Sequence, residues 1–588
     1  MPQATVPSSA HASRPGLAIC DSLEKVFPDQ APRRMDPSVP VVGYAGARAN
    51  LQVALQIPRG DHLDTVTRPE VRIQLPAGVG ARVHQVDLVP VAAAAPVDAD
   101  PAEYLRTAPG LYPDLLRPLD TQVVGPDHPD EPTRTDGPDA QGSTHLAVRP
   151  DLTFDAWHAL WIVLDVAPDA PTARATVDVE VTCEDGSVLA GQALVLTVGR
   201  TLPELGIVNT HWFHCDGLMD VYDLEPFSER YWDVIGNFLR SAADMSVNSV
   251  LTPVWTPPLD TEVGSTRRPS QLLVINDDGD GHYRFDPSRL QRWLDLAESV
   301  GITRIEVPPL FTQWGAEATP AIWVQTPQGP EQRFGWDVPA TDPRYRALLE
   351  QLLPYLIDYL DEHWGIDRVI FHISDEPGED NLPTYTAARE VVVDLLADVT
   401  VVDALSSYEF YRRGLVDHPI SSTNHAAPFL EAGVDPLWVY YCISQKHGVA
   451  NRFIAQPSAR NRALGTQLFV NGAAGFLHWG FNFYNSQFSI RPVNPFLDTC
   501  AGGGFLGGDA FMVYPGPGGR PLTSIRYEVF AEAMTDHRAA QLLAQDRGRD
   551  AARDLLREDW SDGYELPPIT ADQVRAAALA VAEELVGE

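Results

Sequence analysis

The sequence predicts an α/β chain: a (β/α)8 TIM-like barrel preceded by an N-terminal antiparallel β-sandwich and followed by short C-terminal helices. Three observations predict it. Between Leu51 and about Arg200, apolar and polar residues alternate in short runs separated by Pro, Gly and Asp clusters, the pattern of half-buried antiparallel strands. Past Thr201 an apolar strand followed by an amphipathic helix recurs, which builds a parallel sheet wrapped in helices. The 588 residues exceed one ordinary domain and suit a sandwich plus a barrel of roughly 250 residues or more.

Residues 1–20 read as a disordered leader, 21–200 as the sandwich, 201–538 as the barrel and 539–588 as a helical extension. Within the sandwich the strands are the runs LQVALQI, VRIQL, ARVHQVDLVPV, HALWIVLDV, ATVDVEVTC and ALVLTVG. Asp114 to Ser143 is rich in Pro, Asp and Gly and is expected as a surface loop.

The barrel opens with a strand from Leu205 to Phe213 and a helix capped by Ser228, with Tyr231, Ile235, Phe238, Leu239 and Ala242 as its apolar stripe. Ser249 to Trp255 is the second strand, followed by a helix opened by Asp286 and Pro287 and stopped by Gly301. Ile302 to Val307 is the third, with a long helix from Asp342 and Pro343 to His363. Arg368 to Ser374 is the fourth, before a helix from about Leu382 to Ala397. Thr400 to Leu405, Ile420 to Ser422, Leu437 to Cys442 and Gly475 to Trp479 complete eight strands. From about Ala539 the chain is rich in Arg, Asp, Ala and Leu, as terminal helices would be.

With 43 basic against 80 acidic side chains the net charge of −37 repels phosphate backbones and anionic membranes, so nucleic acid is not an expected partner. Five scattered cysteines without a CxxC pair suggest neither a disulfide framework nor a zinc site. The first twenty residues lack the basic start and apolar run of a signal peptide, and no apolar stretch reaches the ~18 residues of a membrane span. A soluble, cytoplasmic protein of unspecified oligomeric state is the expectation.

Barrel enzymes place their chemistry at the C-terminal ends of the strands. The residues expected there are His211, Trp212, His214 and Asp216 after the first strand, Trp255 after the second, Gln313 and Trp314 after the third, and His372, Asp375 and Glu376 after the fourth. The later ends supply Tyr408, Glu409, His425, Tyr440, Tyr441, His478, Trp479, Asn482 and Tyr484. Many aromatics with few cations suit a sugar, whose ring faces stack on indoles while Asn, His and carboxylates bond its hydroxyls; an ordinary packed core would use the same residue types.

Asp375-Glu376-Pro377 is the sharpest feature, because an apolar strand ends in adjacent carboxylates only where they are solvated, capping or used. Adjacent strand residues face opposite ways, so both reach one ligand only if the backbone turns, and Pro377 is expected to keep Glu376 extended. Neighbouring anions raise one pKa, which suits an acid that holds its proton near neutrality. A two-carboxylate retaining mechanism needs a partner about 5 Å away. The seventh strand ends in none, leaving either Glu409 or a neighbouring-group route in which the substrate's 2-acetamido oxygen attacks its own anomeric carbon.

The motifs HWFHCDGLMDVY at His211, NSVLTPVWTPPLDT at Asn248, FHISDEP at Phe371, NRFIAQPSARNRALG at Asn451, GFLHWGFNFYNSQ at Gly475 and GGDAFMVYPG at Gly507 give the chain a resemblance to glycoside hydrolase family 123, the β-N-acetylgalactosaminidases. The resemblance implies a retaining, substrate-assisted enzyme without a cofactor. In it Asp375 orients the acetamido group and Glu376 is the acid/base, with His211, His214, Asp216, Trp255, Gln313, His372, Tyr408, Tyr440, His478, Trp479, Asn482 and Tyr484 as substrate-binding candidates. A glycosidase for sugars lacking the acetamido group and a non-catalytic carbohydrate-binding protein are the alternatives.

Other signals carry less. Asn276 to Gly281 imitates a calcium loop but has Pro287 where a bidentate Glu belongs. Gly502 to Gly508 does not follow a strand and open a helix as a dinucleotide fingerprint does. His211 and His214 sit three apart at a strand end, a spacing that sugar contacts or structural bonds explain without a metal.

Overall fold

The computed structural model describes residues 14–60, 64–123, 143–277, 279 and 281–587. The first thirteen residues of the expected leader, most of the expected loop at 124–142, and Asp278 and Asp280 of the calcium-like segment lie outside them.

Two sheets form the sandwich. One runs in the order Gly16–Asp21, Arg48–Gln56, Trp157–Val166, Val79–Val91, Gly110–Pro118, and the other Val41–Ala45, Val188–Thr201, Ala173–Thr182, Glu70–Leu75, Thr144–Val148, Gln122–Val123. Pairing is antiparallel except where Val41–Ala45 joins Val188–Thr201 in parallel. The five-stranded sheet is buried on both faces, which explains the nearly continuous apolar run LWIVLDV. Leu160, Ile162 and Leu164 fill the sandwich core, and Trp161 and Val163 on the other face join the core shared with the barrel.

Two expectations fail here. The strand Gly16–Asp21 begins within the stretch read as leader, because residues 16–20 supply a sheet edge with two apolar side chains to each face, Leu17 and Ile19 on one and Ala18 and Cys20 on the other. The expected loop from Asp114 begins inside the strand Gly110–Pro118. Its Asp114 is fully buried and is bound by Arg526 through Nε (2.9 Å) and Nη2 (2.8 Å) and by the Tyr514 hydroxyl (2.6 Å). A carboxylate that looked like loop polarity is the anchor between sandwich and barrel.

The barrel closes from eight parallel strands in sequence order: β1 (Val208–His211), β2 (Ser249–Leu251), β3 (Arg304–Glu306), β4 (Val369–Phe371), β5 (Thr400–Leu405), β6 (His418–Ser422), β7 (Trp438–Tyr440) and β8 (Gly475–His478), with β8 paired to β1. Period-two alternation divides each strand. Leu251, Ile370, Val402, Ala404, Ile420, Trp438, Tyr440 and Leu477 form the cluster inside the barrel, while Val250, Ile305, Val369, Phe371, Val439 and Phe476 face the helices.

The helices start where their caps predict. Ser228 Oγ accepts the Tyr231 N–H at the head of α1 (Glu229–Asp244), and Asp342 accepts the Arg344 N–H (2.8 Å) at the head of α3 (Pro343–His363), after α2 (Ser288–Ser299). A four-stranded sheet absent from the sequence reading (Tyr283–Asp286, Val274–Asp277, Ile322–Thr326, Gly329–Phe334) is inserted after β2 and β3. The expected boundary at 538/539 falls inside a single helix, α4 (Ile525–Arg547). Its first half packs into the barrel core, while Ala539, Ala540, Leu542 and Leu543 pack with the terminal helices, so the composition shift marks a change of neighbour along one helix. Among the described residues no helix is long and apolar enough to cross a membrane.

Candidate active site

A cavity of about 230 Å³ opens at the C-terminal mouth of the barrel. Trp212, Asp260, Gln313, Trp314, Asp375, Glu376, Tyr440, Cys442, Trp479 and Phe505 are among the residues that line it, and none of the lining residues is cationic. Loops from strands spread around the barrel therefore converge on one chamber with three carboxylates and five aromatic side chains.

Asp375 and Glu376 follow β4 at the floor of the mouth. Glu376 departs from the extended backbone expected before Pro377: its φ is +46°, in the left-handed region. That turn is what brings adjacent side chains to the same chamber, and it is held by the Glu376 N–H donating to the Ala404 carbonyl (3.0 Å) and the Trp314 N–H donating to the Asp375 carbonyl (2.8 Å). The Tyr440 hydroxyl donates to Glu376 Oε1 (2.6 Å), with Cys442 Sγ 3.8 Å from the same oxygen. Among the described residues no donor meets the Asp375 carboxylate, so its oxygens are available to a ligand. Burial pushes both carboxyls above the usual carboxylate range, and the charges of Glu376, Asp403 and Asp260 add to the push on Asp375.

Two buried acids beneath the floor set this geometry. Asp403 Oδ1 accepts the backbone N–H groups of Ile373 (2.9 Å) and Ser374 (3.2 Å), the residues just before the pair, and its Oδ2 accepts the Tyr385 hydroxyl (2.5 Å). Burial raises its pKa to about 6. Glu306 Oε2 accepts the Trp212 indole N–H (3.1 Å) and meets His372 Nε2 (2.9 Å). It thereby fixes one aromatic wall of the cavity.

Of the sequence candidates, Trp212, Gln313, Trp314, Asp375, Glu376, Tyr440 and Trp479 are brought together in the cavity. The others are not. His211 and His478 lie on the outward side of β1 and β8, stacked on one another (5.9 Å) beside the buried Arg452. His214 and Asp216 are tied to Arg267 behind the wall, at 3.0 and 2.6 Å. Asn482 bonds the backbone of His214 through both ends of its amide. Trp255 donates to the Pro309 carbonyl, Tyr484 to the Val513 carbonyl, and His372 lies below the floor on Glu306. Tyr408 packs on Phe429 outside the cavity. Glu409 is held by Arg412 and Arg413, whose hydrogen bonds bring its pKa down to about 2, and it does not line the cavity.

Asp260 is a carboxylate of the cavity lining that the sequence reading missed, as it did Cys442. Asp260 lies nine residues beyond β2, with its N–H bound to Gln313 Oε1 and its Oδ2 accepting the Phe488 N–H (3.0 Å). Burial raises its pKa to about 6. The only signal for it was the PPLD turn in the loop after the second strand. Among the described residues no group of three or more His, Cys, Asp or Glu side chains is arranged to hold a metal ion.

A parallel barrel whose strand ends gather a carboxylate pair within an aromatic, cation-free chamber is the architecture of a carbohydrate-cleaving enzyme. The model of the glycoside hydrolase 123 catalytic domain matches residues 212–543, and the chain belongs to that family. A family 123 glycoside hydrolase from Clostridium perfringens, described as acting on glycolipid glycans, is similar in structure over 97% of each chain, with a TM-score of 0.69 at 12% identity. A putative glycoside hydrolase from Bacteroides vulgatus aligns over 86% of this chain and 79% of its own, with a TM-score of 0.31 at 10% identity. No curated protein matches the chain in sequence.

Proposed function

We propose that the enzyme removes a β-linked 2-acetamido sugar, N-acetylgalactosamine by preference, through a retaining, substrate-assisted mechanism. One observation supports this above the others: Asp375 presents a carboxylate without a protein donor beside Glu376, whose oxygen is already fixed by Tyr440. The first is suited to receive the acetamido N–H and the second to handle the proton of the glycosidic oxygen.

Burial favours the protonated form of both carboxyls. An acetamido N–H donating to Asp375 favours its charged form, which leaves the proton on Glu376. Glu376 then protonates the leaving oxygen as the acetamido carbonyl oxygen attacks C1; the C1–O bond to the leaving group breaks and an oxazolinium forms, its positive charge facing the Asp375 carboxylate. Glu376, now ionised, takes a proton from water as that water attacks C1 from the side the leaving group vacated. The oxazolinium ring opens and the anomeric configuration is retained. Trp212 and Trp479 offer faces for the sugar ring, and the absence of cations from the lining suits an uncharged sugar.

A second reading gives the attack on C1 to a protein carboxylate and serves sugars without an acetamido group. Asp260, not Glu409, is the residue available for it, since Asp260 lines the cavity and Glu409 is paired to two arginines outside it. Aryl glycosides of N-acetylgalactosamine, N-acetylglucosamine and the parent sugars, offered to the wild type, Asp375→Asn, Glu376→Gln and Asp260→Ala, separate the two. Substrate assistance predicts turnover of acetamido sugars alone, lost in both pair variants. Turnover of the parent sugars, abolished in Asp260→Ala and restored by azide, would replace it with the protein nucleophile.

A further inference from the structure

Left-handed backbone at residues other than glycine is uncommon, and for bulky side chains it persists only where surrounding structure enforces it. Here it gathers at the cavity mouth, with Asp260 (φ 41°), Trp314 (58°), Ala316 (55°), Phe488 (61°) and Ser489 (53°) in three loops, besides Glu376 itself. The loops are stitched together. Phe488 donates its N–H to Asp260 and accepts the Glu262 N–H (2.9 Å), Ser489 Oγ donates to the Asp260 carbonyl (2.7 Å), and Gln313 bridges Asp260 and Thr261. At Gly315 φ is +133°, a backbone conformation that other residues rarely adopt, and a Cβ there would also come within 2.6 Å of the Asn381 side-chain amide where the third loop meets the loop after β4.

This bracing presents one large side chain to solvent. Trp314 is 40% exposed although it lines the cavity, and its ring stands edge-on to Phe488 at 5.7 Å and 88°. Val263 and Ile490, at 70% and 63% exposed, extend from the same two loops that carry Asp260 and Phe488. The backbone N–H of Trp314 donates to the Asp375 carbonyl, so the main chain that carries the indole is held against the carboxylate pair. The chamber behind it has room on the scale of one sugar ring.

We propose that Trp314, backed by Phe488, is the platform for the leaving group, and that its occupant is the uncharged sugar ring joined to the one cleaved. This rests on the reading that a single sugar is released. A substrate whose terminal ring fills the chamber must bring its next ring out through the mouth, past the exposed indole. A pyranose offers an apolar face to such a surface, and the lining offers no cation to a charged leaving group.

The test is a binding ratio, which stands apart from the turnover that tests the mechanism. Affinities of a methyl glycoside and of the matching disaccharide are measured by calorimetry on Glu376→Gln, with and without Trp314→Ala and Trp314→Phe, and as competitive inhibition constants on the wild type. Both probes carry whichever sugar the aryl panel shows to be cleaved, or N-acetylgalactosamine if the panel is silent. The disaccharide is expected to bind roughly three- to tenfold tighter than the methyl glycoside. Trp314→Ala should remove that preference, with methyl glycoside affinity moving less than about twofold, and Trp314→Phe should keep part of it. Equal affinities on the unsubstituted background, or equal losses for both ligands in Trp314→Ala, would overturn the platform; the latter would assign Trp314 to holding Asp375 in place.

Discussion

At the scale of single residues, the chemistry depends on how one hydrogen bond divides protons between two acids. The Tyr440 hydroxyl donates to Glu376 and so favours its charged form, against burial, which favours the neutral one. Tyr440→Phe removes the opposing influence, and the Glu376 pKa should rise further above the usual carboxylate range. Since the proposed mechanism needs Glu376 protonated to release the leaving group, the basic limb of kcat/KM should move to higher pH. An unmoved limb in a pH-rate profile would mean that Tyr440 does not tune the acid. Asp375 and Glu376 were legible in the sequence because two carboxylates at the end of an apolar strand have few structural uses. Their neighbours were legible only in part. Alternation inward and outward along a strand separates Tyr440 and Trp479 from His211 and His478, and the sequence shows that alternation once the inward residue of each strand is known. Asp260 lay beyond such reasoning, since its place depends on how the loop after β2 bends back to meet loops from β3 and β8.

At the scale of elements, β4 and β5 act together. Asp403, on β5, accepts the two N–H groups that precede the carboxylate pair beyond β4, so the geometry of one strand end is set from the neighbouring strand. It also holds its charge near Asp375 and helps to raise that carboxyl. Asp403→Asn keeps the volume and one acceptor while removing the charge. Asp375 should then titrate lower, and the acidic limb of the pH-rate profile, which reports the ionisation of Asp375 with substrate bound, should shift to lower pH. Asp403→Ala should add a loss of stability of about 1–3 kcal/mol from buried donors left unpaired, read as a lower denaturation midpoint. A limb that stays in place in Asp403→Asn would reduce Asp403 to a structural brace. The eight strands and the capped helices were readable because a buried parallel strand is a short apolar run and a cap is a local signal. The inserted four-stranded sheet was not, since its strands are short and half-exposed and its two hairpins join across more than forty residues of intervening chain.

At the scale of the whole molecule, sandwich and barrel share one continuous core, and a buried ion pair sits where they meet. Asp114, on the sandwich strand Gly110–Pro118, takes two hydrogen bonds from Arg526 in the first turn of α4, and Arg526 Nη1 also donates to the carbonyls of Gly508 (2.7 Å) and Phe511 (2.6 Å) in the loop that follows β8. The sandwich thus helps to fix a segment that also carries Asp509, whose Oδ2 accepts the Trp479 indole N–H (3.0 Å). Asp114→Ala would leave a guanidinium buried without its counter-charge, a loss of about 3–5 kcal/mol for a broken buried pair. Replacing both partners, as Asp114→Leu with Arg526→Met, removes the desolvated charges together and should recover much of that loss. Urea denaturation checks the energetic half. The structural half is checked by kcat on whichever aryl glycoside the panel shows to be cleaved: if the sandwich supports the wall of the site through this segment, the double variant should regain stability while its kcat stays below wild type, because the carbonyls of Gly508 and Phe511 have lost their donor. A double variant as active as wild type would confine the pair to holding the two domains together.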